Sequence, residues 1–294
     1  MADIIDGKAF AAKIRAEVKE DSDKLISQKQ VDPCLAVVLV GENPASKVYV
    51  GQKTKMAAEC NIKTKDFKLE ASTDQETLLK LIDELNNDSS VHGILVQLPL
   101  PKQIDERKVI DAIVVEKDVD GFHAINAGRL SIGGDMLKKA FIPCTPLGSL
   151  LLLKDHVEDL KGKSAVVIGR SNIVGKPMSQ LLIEESCTVT VVHSKTKEIE
   201  KVCSQADIIV AAIGRAEMID SKWLKDDAVV IDVGINRISI TKDDGSEGSK
   251  IVGDVDFESA SEKASKITPV PGGVGPMTIA VSYTHLTLPT IRSV

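Results

Sequence analysis

The sequence lacks the features that mark membrane proteins and nucleic-acid-binding proteins. No stretch reaches the roughly 18 consecutive apolar residues of a membrane-spanning helix. The N-terminus has neither the basic start nor the apolar core of a signal peptide. The net charge of −6 provides no basic field for a nucleic acid. We therefore expect a cytoplasmic protein without a membrane or nucleic-acid partner.

The sequence also lacks paired cysteines. Its five cysteines are odd in number and scattered, and no two of them form a CxxC pair. Such usage is typical of reduced thiols in a cytosol-like compartment, and it provides no structural zinc motif. We expect neither disulfides nor a bound metal.

Short β-branched runs alternate with longer helical patterns along the 294 residues. The predicted strands are Leu35–Val40, Gly93–Val96, Ala165–Ile168, Thr188–Val192, Ile208–Ala212 and Val229–Val233. The predicted helices are Lys8–Lys29, Pro44–Cys60, Gln75–Asn87, Leu147–Asp155 and Val174–Glu185. Several strands are continuously apolar, as in parallel sheets that are covered on both faces. The alternation therefore predicts an α/β fold with right-handed crossovers.

The length of the chain predicts two domains. We place the boundary at Pro143-Cys-Thr-Pro146, where two prolines bracket a polar pair, and expect domains over residues 1–146 and 147–280. In the second half the strands follow one another at intervals of about twenty residues, as in a nucleotide-binding sheet. The polar stretch 242–250 is predicted to be a solvated loop.

The segment Pro269–Thr278 contains three prolines and three glycines. Proline fixes its own φ and removes a backbone donor, whereas glycine permits backbone shapes that are closed to other residues. The missing side chains at Gly272, Gly273 and Gly275 would let a ligand approach the backbone closely. Many such clusters are plain turns. Hydrophobic residues flank this one on both sides, so we interpret it as a binding loop.

A strand, a glycine turn and a helix follow one another over residues 165–178. Gly169 permits a sharp turn after the strand, and Gly175 stands where the helix begins. The free amides and the dipole at the start of that helix would attract a pyrophosphate. The two glycines are six positions apart and do not have GxGxxG spacing, so a purely structural turn is an alternative.

The end of the next strand indicates which dinucleotide would bind. Folds that prefer NAD place a carboxylate about twenty residues after the glycines, where it holds the ribose hydroxyls. Here the strand Thr188–Val192 ends in His-Ser-Lys-Thr, with no carboxylate. Ser194 and Lys195, together with Arg170 of the glycine turn, could bind a 2′-phosphate instead. The sequence therefore favours NADP over NAD.

The first half carries a set of polar residues at positions where ligands bind. Tyr49 and Lys53 are four residues apart and share one face of a helix, although an exposed pair of this kind needs no function. Gln97 is the one polar residue in an apolar run, at the end of a strand where open α/β sheets bind ligands. Asp118 and Asp120 lie in a glycine turn. They could be a turn device, half of a cation site, or acceptors for adjacent N–H donors.

Six motifs occur here in the order of one family: Tyr49-xxx-Lys53, Val96-Gln-Leu-Pro-Leu100, Lys117-Asp-Val-Asp-Gly121, Pro143-Cys-Thr-Pro146, Gly169-Arg-Ser-Asn-Ile-Val-Gly175 and Pro269–Thr278. Over residues 5 to about 280 the chain resembles the bifunctional methylenetetrahydrofolate dehydrogenase/methenyltetrahydrofolate cyclohydrolases. The resemblance implies a folate-binding catalytic domain, a Rossmann-type NADP-binding domain and an active-site cleft between them. It also implies a homodimer with a role in one-carbon metabolism and purine biosynthesis.

The resemblance further implies that NADP oxidises 5,10-methylenetetrahydrofolate and that the methenyl product is hydrolysed to 10-formyltetrahydrofolate. The implied catalytic residues are Lys53, which acts in hydrolysis, Gln97, which supports it, Tyr49, and Asp120, which binds the pterin. The implied folate-binding residues are Tyr49, Val96, Gln97, Leu98, Asp120, Pro271, Gly272, Gly273, Val274 and Pro276. The implied cofactor-binding residues are Thr145, Gly169, Arg170, Ser171, Ile173, Ser194, Ile235, Gly275 and Thr278.

The hydrolytic step leaves two roles open for Lys53. Water can attack the cationic methenyl carbon, but a proton must then leave. A lysine with the ordinary pKa of about 10.4 is a poor base at neutral pH, although burial favours the neutral amine. Lys53 therefore either takes the proton or stays charged and polarises the substrate.

The resemblance ends after Ala280. Residues 281–294 contain many β-branched residues and Pro289 and show no amphipathic helical stripe. We expect a non-native tail, in place of a helix that would otherwise cover apolar surface on the first domain. The intact mass of the protein from its natural source tests this hypothesis.

Two other functions are open at this point. One is a folate dehydrogenase without hydrolytic activity, against which Lys53 and Gln97 argue, because that pair has no evident role in hydride transfer. The other is a non-catalytic dinucleotide-binding protein, which would leave the polar residues of the first half without a purpose.

Overall fold

The computed structural model describes residues 2–241 and 245–292, without the side chains of Ala45 and of residues 288–292. The strands are β1 (Asp3–Ile4), β2 (Cys34–Val40), β3 (Lys63–Leu69), β4 (Gly93–Val96), β5 (Ser164–Ile168), β6 (Thr188–Val192), β7 (Ile208–Ala211), β8 (Val229–Asp232), β9 (Asn236–Thr241), β10 (Glu247–Val252) and β11 (Lys266–Ile267). The helices are α1 (Gly7–Lys29), α2 (Pro44–Glu59), α3 (Gln75–Asn87), α4 (Glu106–Ala112), α5 (Ala124–Ile132), α6 (Gly134–Leu137), α7 (Cys144–His156), α8 (Gly175–Glu184), α9 (Ile199–Cys203), α10 (Phe257–Ser261) and α11 (Val274–Arg292).

The chain forms two compact units. The N-terminal unit comprises Ala12–Ile142 and the chain from Ile279 on. The C-terminal unit comprises Pro143–Thr278 and the residues up to Ala11. The units change over at Pro143, close to the predicted boundary. The first residues nevertheless belong to the C-terminal unit, because β1 pairs in parallel with β11.

The N-terminal unit is built on a three-stranded parallel sheet in the order β3-β2-β4. Every residue of β2 is buried, because this central strand has a neighbour on each side and apolar side chains along its whole length. The helix α3 packs Leu78, Ile82 and Leu85 into the core, at the i, i+4, i+7 spacing of one helical face. Asp74 caps this helix by accepting a hydrogen bond from the N–H of Thr77.

The C-terminal unit contains a six-stranded parallel sheet in the order β1-β11-β8-β7-β5-β6, with a separate antiparallel hairpin of β9 and β10. The inner strands β7 and β8 are almost wholly apolar and buried, as expected for a doubly covered sheet. The predicted α/β architecture with a parallel sheet in each half is therefore confirmed.

All six predicted strands and all five predicted helices are present, with ends within three residues of the predicted ones. The strand β3 was not predicted, because its alternating lysines obscure the apolar pattern; it is an edge strand, where such charges are common. The prediction of a solvated loop over residues 242–250 is wrong in its second part. Glu247–Val252 pairs with β9, while residues 242–244 lie outside the described part of the chain.

The expectation that the tail contains no helix is wrong, because α11 continues to Arg292. Tyr283 and Leu286 are almost fully buried in the N-terminal unit. The Tyr283 hydroxyl donates to the Lys53 carbonyl at 2.5 Å, and His285 Nδ1 lies 2.8 Å from the Val119 carbonyl oxygen. Tertiary contacts thus outweigh the weak helix propensity of the β-branched residues. That the tail is non-native stays a prediction.

All five cysteines are buried as free thiols. In the described part of the chain, no helix combines the length and the apolar character that a bilayer crossing requires. Nor do the described residues include a group of three or more His, Cys, Asp or Glu side chains placed to hold a metal ion.

Candidate active site

The structure brings Tyr49, Lys53 and Asp120 together in the N-terminal unit. Lys53 points inward from α2 and is only 2% exposed. Its Nζ lies 3.9 Å from Asp120 Oδ1 and 5.1 Å from the centroid of the Tyr49 ring. A buried ammonium is costly unless a negative charge or an aromatic face compensates it. The site supplies both, so this lysine is held in a defined place.

Asp120 lies in a turn that follows a short 3₁₀ segment, Val115–Lys117. Gly121 has a φ of +71°, which other residues adopt at a cost in strain. The Asp120 side chain is 19% exposed, and burial raises the pKa of its carboxyl. The Lys53 charge opposes this shift, whereas the Asp118 charge adds to it. Among the described residues, no group donates a hydrogen bond to the Asp120 side chain, so it has spare capacity for a ligand with adjacent N–H donors.

Gln97 follows β4 directly, at the carboxyl end of the parallel sheet. Its N–H donates to the Val38 carbonyl at 2.8 Å and its side-chain amide donates to the Leu98 carbonyl at 2.7 Å. Among the described residues, the Gln97 side chain makes no hydrogen bond to Lys53 or Asp120. Support of Lys53 by Gln97 therefore stays a prediction. Val96 is buried.

The Pro/Gly segment belongs to the C-terminal unit, and the reasons for its glycines differ. Gly272 has a φ of +111° and accepts a hydrogen bond from the Lys8 N–H at 2.9 Å. A side chain at Gly273 would approach the Pro269 carbonyl oxygen to 2.6 Å, so packing within the protein already requires glycine there. Val274 is 3% exposed and begins α11. At Gly272 the backbone shape explains the glycine, and at Gly273 the packing does, without a ligand.

The glycine turn after β5 has the form that the sequence predicts. A Cβ at Gly169 would collide with the Ala212 carbonyl, and one at Gly175 would collide with the Gly169 carbonyl. The Ser171 hydroxyl accepts from the N–H groups of Val174 and Gly175 at 3.1 and 3.3 Å. The first amides of α8 therefore already have a partner within the turn. The exposed residues of the turn, which include Arg170 and Ile173, are accessible to a ligand.

The ends of β5 and β6 lie side by side, because the Gly169 N–H donates to the Val192 carbonyl at 2.9 Å. Arg170 follows one strand, and Ser194 and Lys195 follow the other; all three are exposed. This edge of the sheet thus presents two cations and a hydroxyl, which suits a 2′-phosphate.

The other cofactor candidates lie elsewhere in the C-terminal unit. The hydroxyls of Thr145 and Thr278 are 2.9 Å apart. Ile235 is 63% exposed, and a Cβ at Gly275 would lie 3.7 Å from its Cδ1. An exposed isoleucine beside a bare backbone offers an apolar surface for a flat ring.

Sequence reasoning missed two buried carboxylates, Asp232 and Asp254. Asp254 is fully buried and accepts from the N–H groups of Ile213, Gly214 and Arg215 at 2.7, 3.0 and 2.8 Å, and from the Asn236 side chain. Asp232 accepts from three further backbone N–H groups, including that of Asp254. Burial raises the pKa of Asp232 to about 6. Both aspartates closely follow apolar residues in the sequence, and this position could have predicted that they are buried.

Comparisons with known proteins identify the family. The tetrahydrofolate dehydrogenase/cyclohydrolase catalytic domain matches residues 5–120, and the NAD(P)-binding domain of the same enzymes matches residues 143–291. The bifunctional protein FolD of Erythrobacter litoralis is 57% identical over 95% of this chain and 92% of its own. The crystal structure of the bifunctional FolD enzyme from Campylobacter jejuni has a TM-score of 0.93 at 49% identity, with 100% of both chains covered. The Trypanosoma brucei FolD structure, complexed with NADP cofactor and inhibitor, has a TM-score of 0.91 at 36% identity, with 99% and 98% covered.

The match to the NAD(P)-binding domain continues to residue 291, so the family resemblance does not end after Ala280 as predicted. The two matched domains coincide with the two halves in which the catalytic and the cofactor candidates lie. The chain therefore belongs to the tetrahydrofolate dehydrogenase/cyclohydrolase family, and it is an enzyme with a catalytic domain and an NAD(P)-binding domain.

Proposed function

We propose that this chain oxidises 5,10-methylenetetrahydrofolate with NADP and hydrolyses the methenyl product to 10-formyltetrahydrofolate. The observation that carries the proposal is the buried Lys53 ammonium 3.9 Å from the Asp120 carboxylate, inside the part of the chain that matches the catalytic domain. FolD proteins that resemble this chain over nearly its full length are bifunctional by name. This favours the two-step function over a dehydrogenase alone or a non-catalytic dinucleotide-binding protein.

In the first step the chain binds the folate and NADP and orients them. When bound, NADP would supply the acceptor for a hydride from the methylene carbon of the folate. The two oxygens of Asp120 accept hydrogen bonds from neighbouring N–H groups of the pterin, and the Tyr49 ring lies against the aminobenzoyl part. Arg170, Ser194 and Lys195 hold the 2′-phosphate. Alignment of the reacting carbons is the main requirement of hydride transfer, so binding residues suffice.

The second step adds water to the cationic methenyl carbon. Water forms a C–O bond to the methenyl carbon and releases one proton. The bond between that carbon and N5 then breaks, the proton of the new hydroxyl passes to N5, and the formyl group stays on N10. Lys53 is the residue that acts on this step. It either accepts the proton as a neutral amine or polarises the substrate as a cation, and Gln97 orients the reacting groups.

The proposal also covers the cellular location of the enzyme, its metabolic role and its oligomeric state. It acts in the cytoplasm and supplies one-carbon units for purine biosynthesis. It is a homodimer, and the edge strand β6 is our candidate for the interface, because it carries no charged residue and Val191 is 40% exposed. Sedimentation equilibrium of the purified protein tests the dimer, and a monomer at micromolar concentration would exclude it.

The substitution Lys53→Met tests the separation of the two steps. We expect NADPH formation from methylenetetrahydrofolate to persist, and methenyl hydrolysis, measured as the loss of methenyltetrahydrofolate absorbance, to fall at least about hundredfold because the variant lacks the amino group that acts on this step. Lys55→Met is the matched control, since Lys55 is an exposed residue of the same helix. Equal loss of both activities would refute the assignment, and absence of both in the unaltered protein would refute the proposed function.

A further inference from the structure

The Asp118 carboxylate is buried two positions before Asp120 and is fully engaged within the protein. Asp118 is 2% exposed. Its Oδ1 accepts from the Phe122 N–H at 3.3 Å, and its Oδ2 accepts from the His123 N–H at 2.8 Å. These bonds close residues 118–123 into a small loop, which we call the carboxylate loop, with Asp120 inside it.

Asn126 joins the carboxylate loop to the rest of the unit. This asparagine is fully buried, and its Nδ2 donates to Asp118 Oδ2 at 2.9 Å. Its Oδ1 accepts from the Phe141 N–H at 3.2 Å and from the Arg129 guanidinium at 3.4 Å. A buried amide that both donates and accepts has one favourable orientation, so it fixes the position of the carboxylate that it contacts.

We propose that Asp118 and Asn126 are positioning residues for Asp120. Because Asp118 is engaged by donors within the protein, Asp120 is the carboxylate that pairs with Lys53. The inference rests on the proposed function of Asp120. Asp118 and Asp120 are both acidic, both largely buried and only two residues apart, so either could attract the nearby lysine. The three donors around Asp118 satisfy its charge locally, whereas Asp120 keeps its lone pairs for Lys53 and a ligand.

The donors on Asp118 also explain why the carboxylate loop keeps its shape although it contains two nearby carboxylates, Asp118 and Asp120. Mutual repulsion and burial both disfavour two ionised carboxylates in one turn. An N–H donor placed on Asp118 offsets that cost, and Asn126 supplies the donor that comes from outside the loop. Without it the loop would relax and Asp120 would move away from the position 3.9 Å from Lys53. Small displacements of a binding group cost much in orientation-dependent chemistry.

The substitution Asn126→Asp tests the proposal, because it replaces the donor with a second acceptor of nearly the same shape. At neutral pH we expect KM for methylenetetrahydrofolate to rise about tenfold, as for loss of one buried charge-assisted hydrogen bond. The KM for NADP should stay unchanged. Asn87→Asp is the matched control, since it makes the same change at an exposed position at the end of α3.

Lowering the pH gives a readout that a merely structural role would not produce. The two facing carboxylates would share a proton as the pH falls, which restores a hydrogen bond between them. The KM ratio of Asn126→Asp to the unaltered enzyme should therefore fall between about pH 8 and pH 6. Among the described residues, the charged and titratable groups around the pair are His123 of the carboxylate loop, Arg129 of α5, His285 of α11, and Asp120 with Lys53. Burial lowers the pKa of His285, which favours its neutral imidazole.

An unchanged KM for the folate, or a KM ratio that does not depend on pH, would overturn the proposal. If Asn126→Asp fails to fold, Asn126→Ser keeps a hydroxyl donor in a smaller side chain, and it should raise the folate KM without a pH-dependent ratio. Amide hydrogen exchange at Phe122 and His123 provides a readout independent of catalysis. Faster exchange in the variants supports the positioning role even if the unaltered protein lacks the proposed activity, and unchanged exchange contradicts it.

Discussion

Each of the two units buries carboxylates beside the carboxyl ends of its parallel strands, but the two groups of carboxylates differ in how they are satisfied. In the C-terminal unit, Asp254 accepts four hydrogen bonds and Asp232 accepts three, all from the protein. In the N-terminal unit, Asp118 is satisfied in the same manner, whereas Asp120 accepts no hydrogen bond from the described residues and pairs with the Lys53 ammonium 3.9 Å away. Burial alone therefore does not distinguish structure from function, but unused hydrogen-bonding capacity does.

The largest expected effect is on stability and concerns Asp254. Asp254→Ala would leave three backbone N–H groups of residues 213–215 and the Asn236 amide without their acceptor. Each unsatisfied buried donor costs about 1–3 kcal/mol, so we expect the free energy of unfolding to fall by at least about 3 kcal/mol. Asp256→Ala, which removes a helix cap with one N–H partner at 3.2 Å, should cost only about 1 kcal/mol.

Urea denaturation monitored by circular dichroism would measure both changes. Equal losses of stability in the two variants would mean that the number of donors around a buried carboxylate does not matter here. The contrast between Asp254 and Asp120 would then lose its basis.

Asp120→Asn should show the opposite combination, a large loss of activity with little loss of stability. The amide keeps the shape but presents only one acceptor to the pterin and carries no charge for Lys53. We expect kcat/KM for methylenetetrahydrofolate to fall about hundredfold, the range for hydrogen bonds to charged groups. Because burial raises the pKa of this carboxyl, its charge does not stabilise the fold, and the unfolding midpoint should stay the same or rise. A variant with full activity and a lowered midpoint would make Asp120 a structural residue like Asp118.

The sequence alone predicted those parts of the fold and of the site that local patterns encode. Continuous apolar runs such as β2 and β8 predict buried strands. The four-residue spacing of Tyr49 and Lys53 predicts that they share one face of a helix. The turn motif that contains Asp120 is equally local. The family motifs added the role that we expect of each residue.

The remainder depends on contacts between distant parts of the chain. Asp232 accepts from residues 22 and 23 positions later, and no pattern in either segment specifies that meeting. The two-residue strands β1 and β11 are too short for a periodicity, and each exists because it has the other as partner. The helical tail follows from the burial of Tyr283 and Leu286, which outweighs its local propensity.

The smallest expected effect is a pH dependence of stability due to Asp232. Burial raises the pKa of this carboxyl to about 6 in the folded protein, above the value of about 3.9 expected in the unfolded chain. Between these values the folded state binds more protons than the unfolded state, so stability falls as the pH rises from about 4 to about 6. Asp232→Asn removes this contribution. The difference in unfolding free energy between the unaltered protein and the variant should therefore shrink by about 2 kcal/mol over that interval. Urea titrations of both proteins at several pH values would measure it. A difference that grows with pH would show that the three backbone donors stabilise the charged form more than burial disfavours it, and Asp232 would then be as fully satisfied as Asp254.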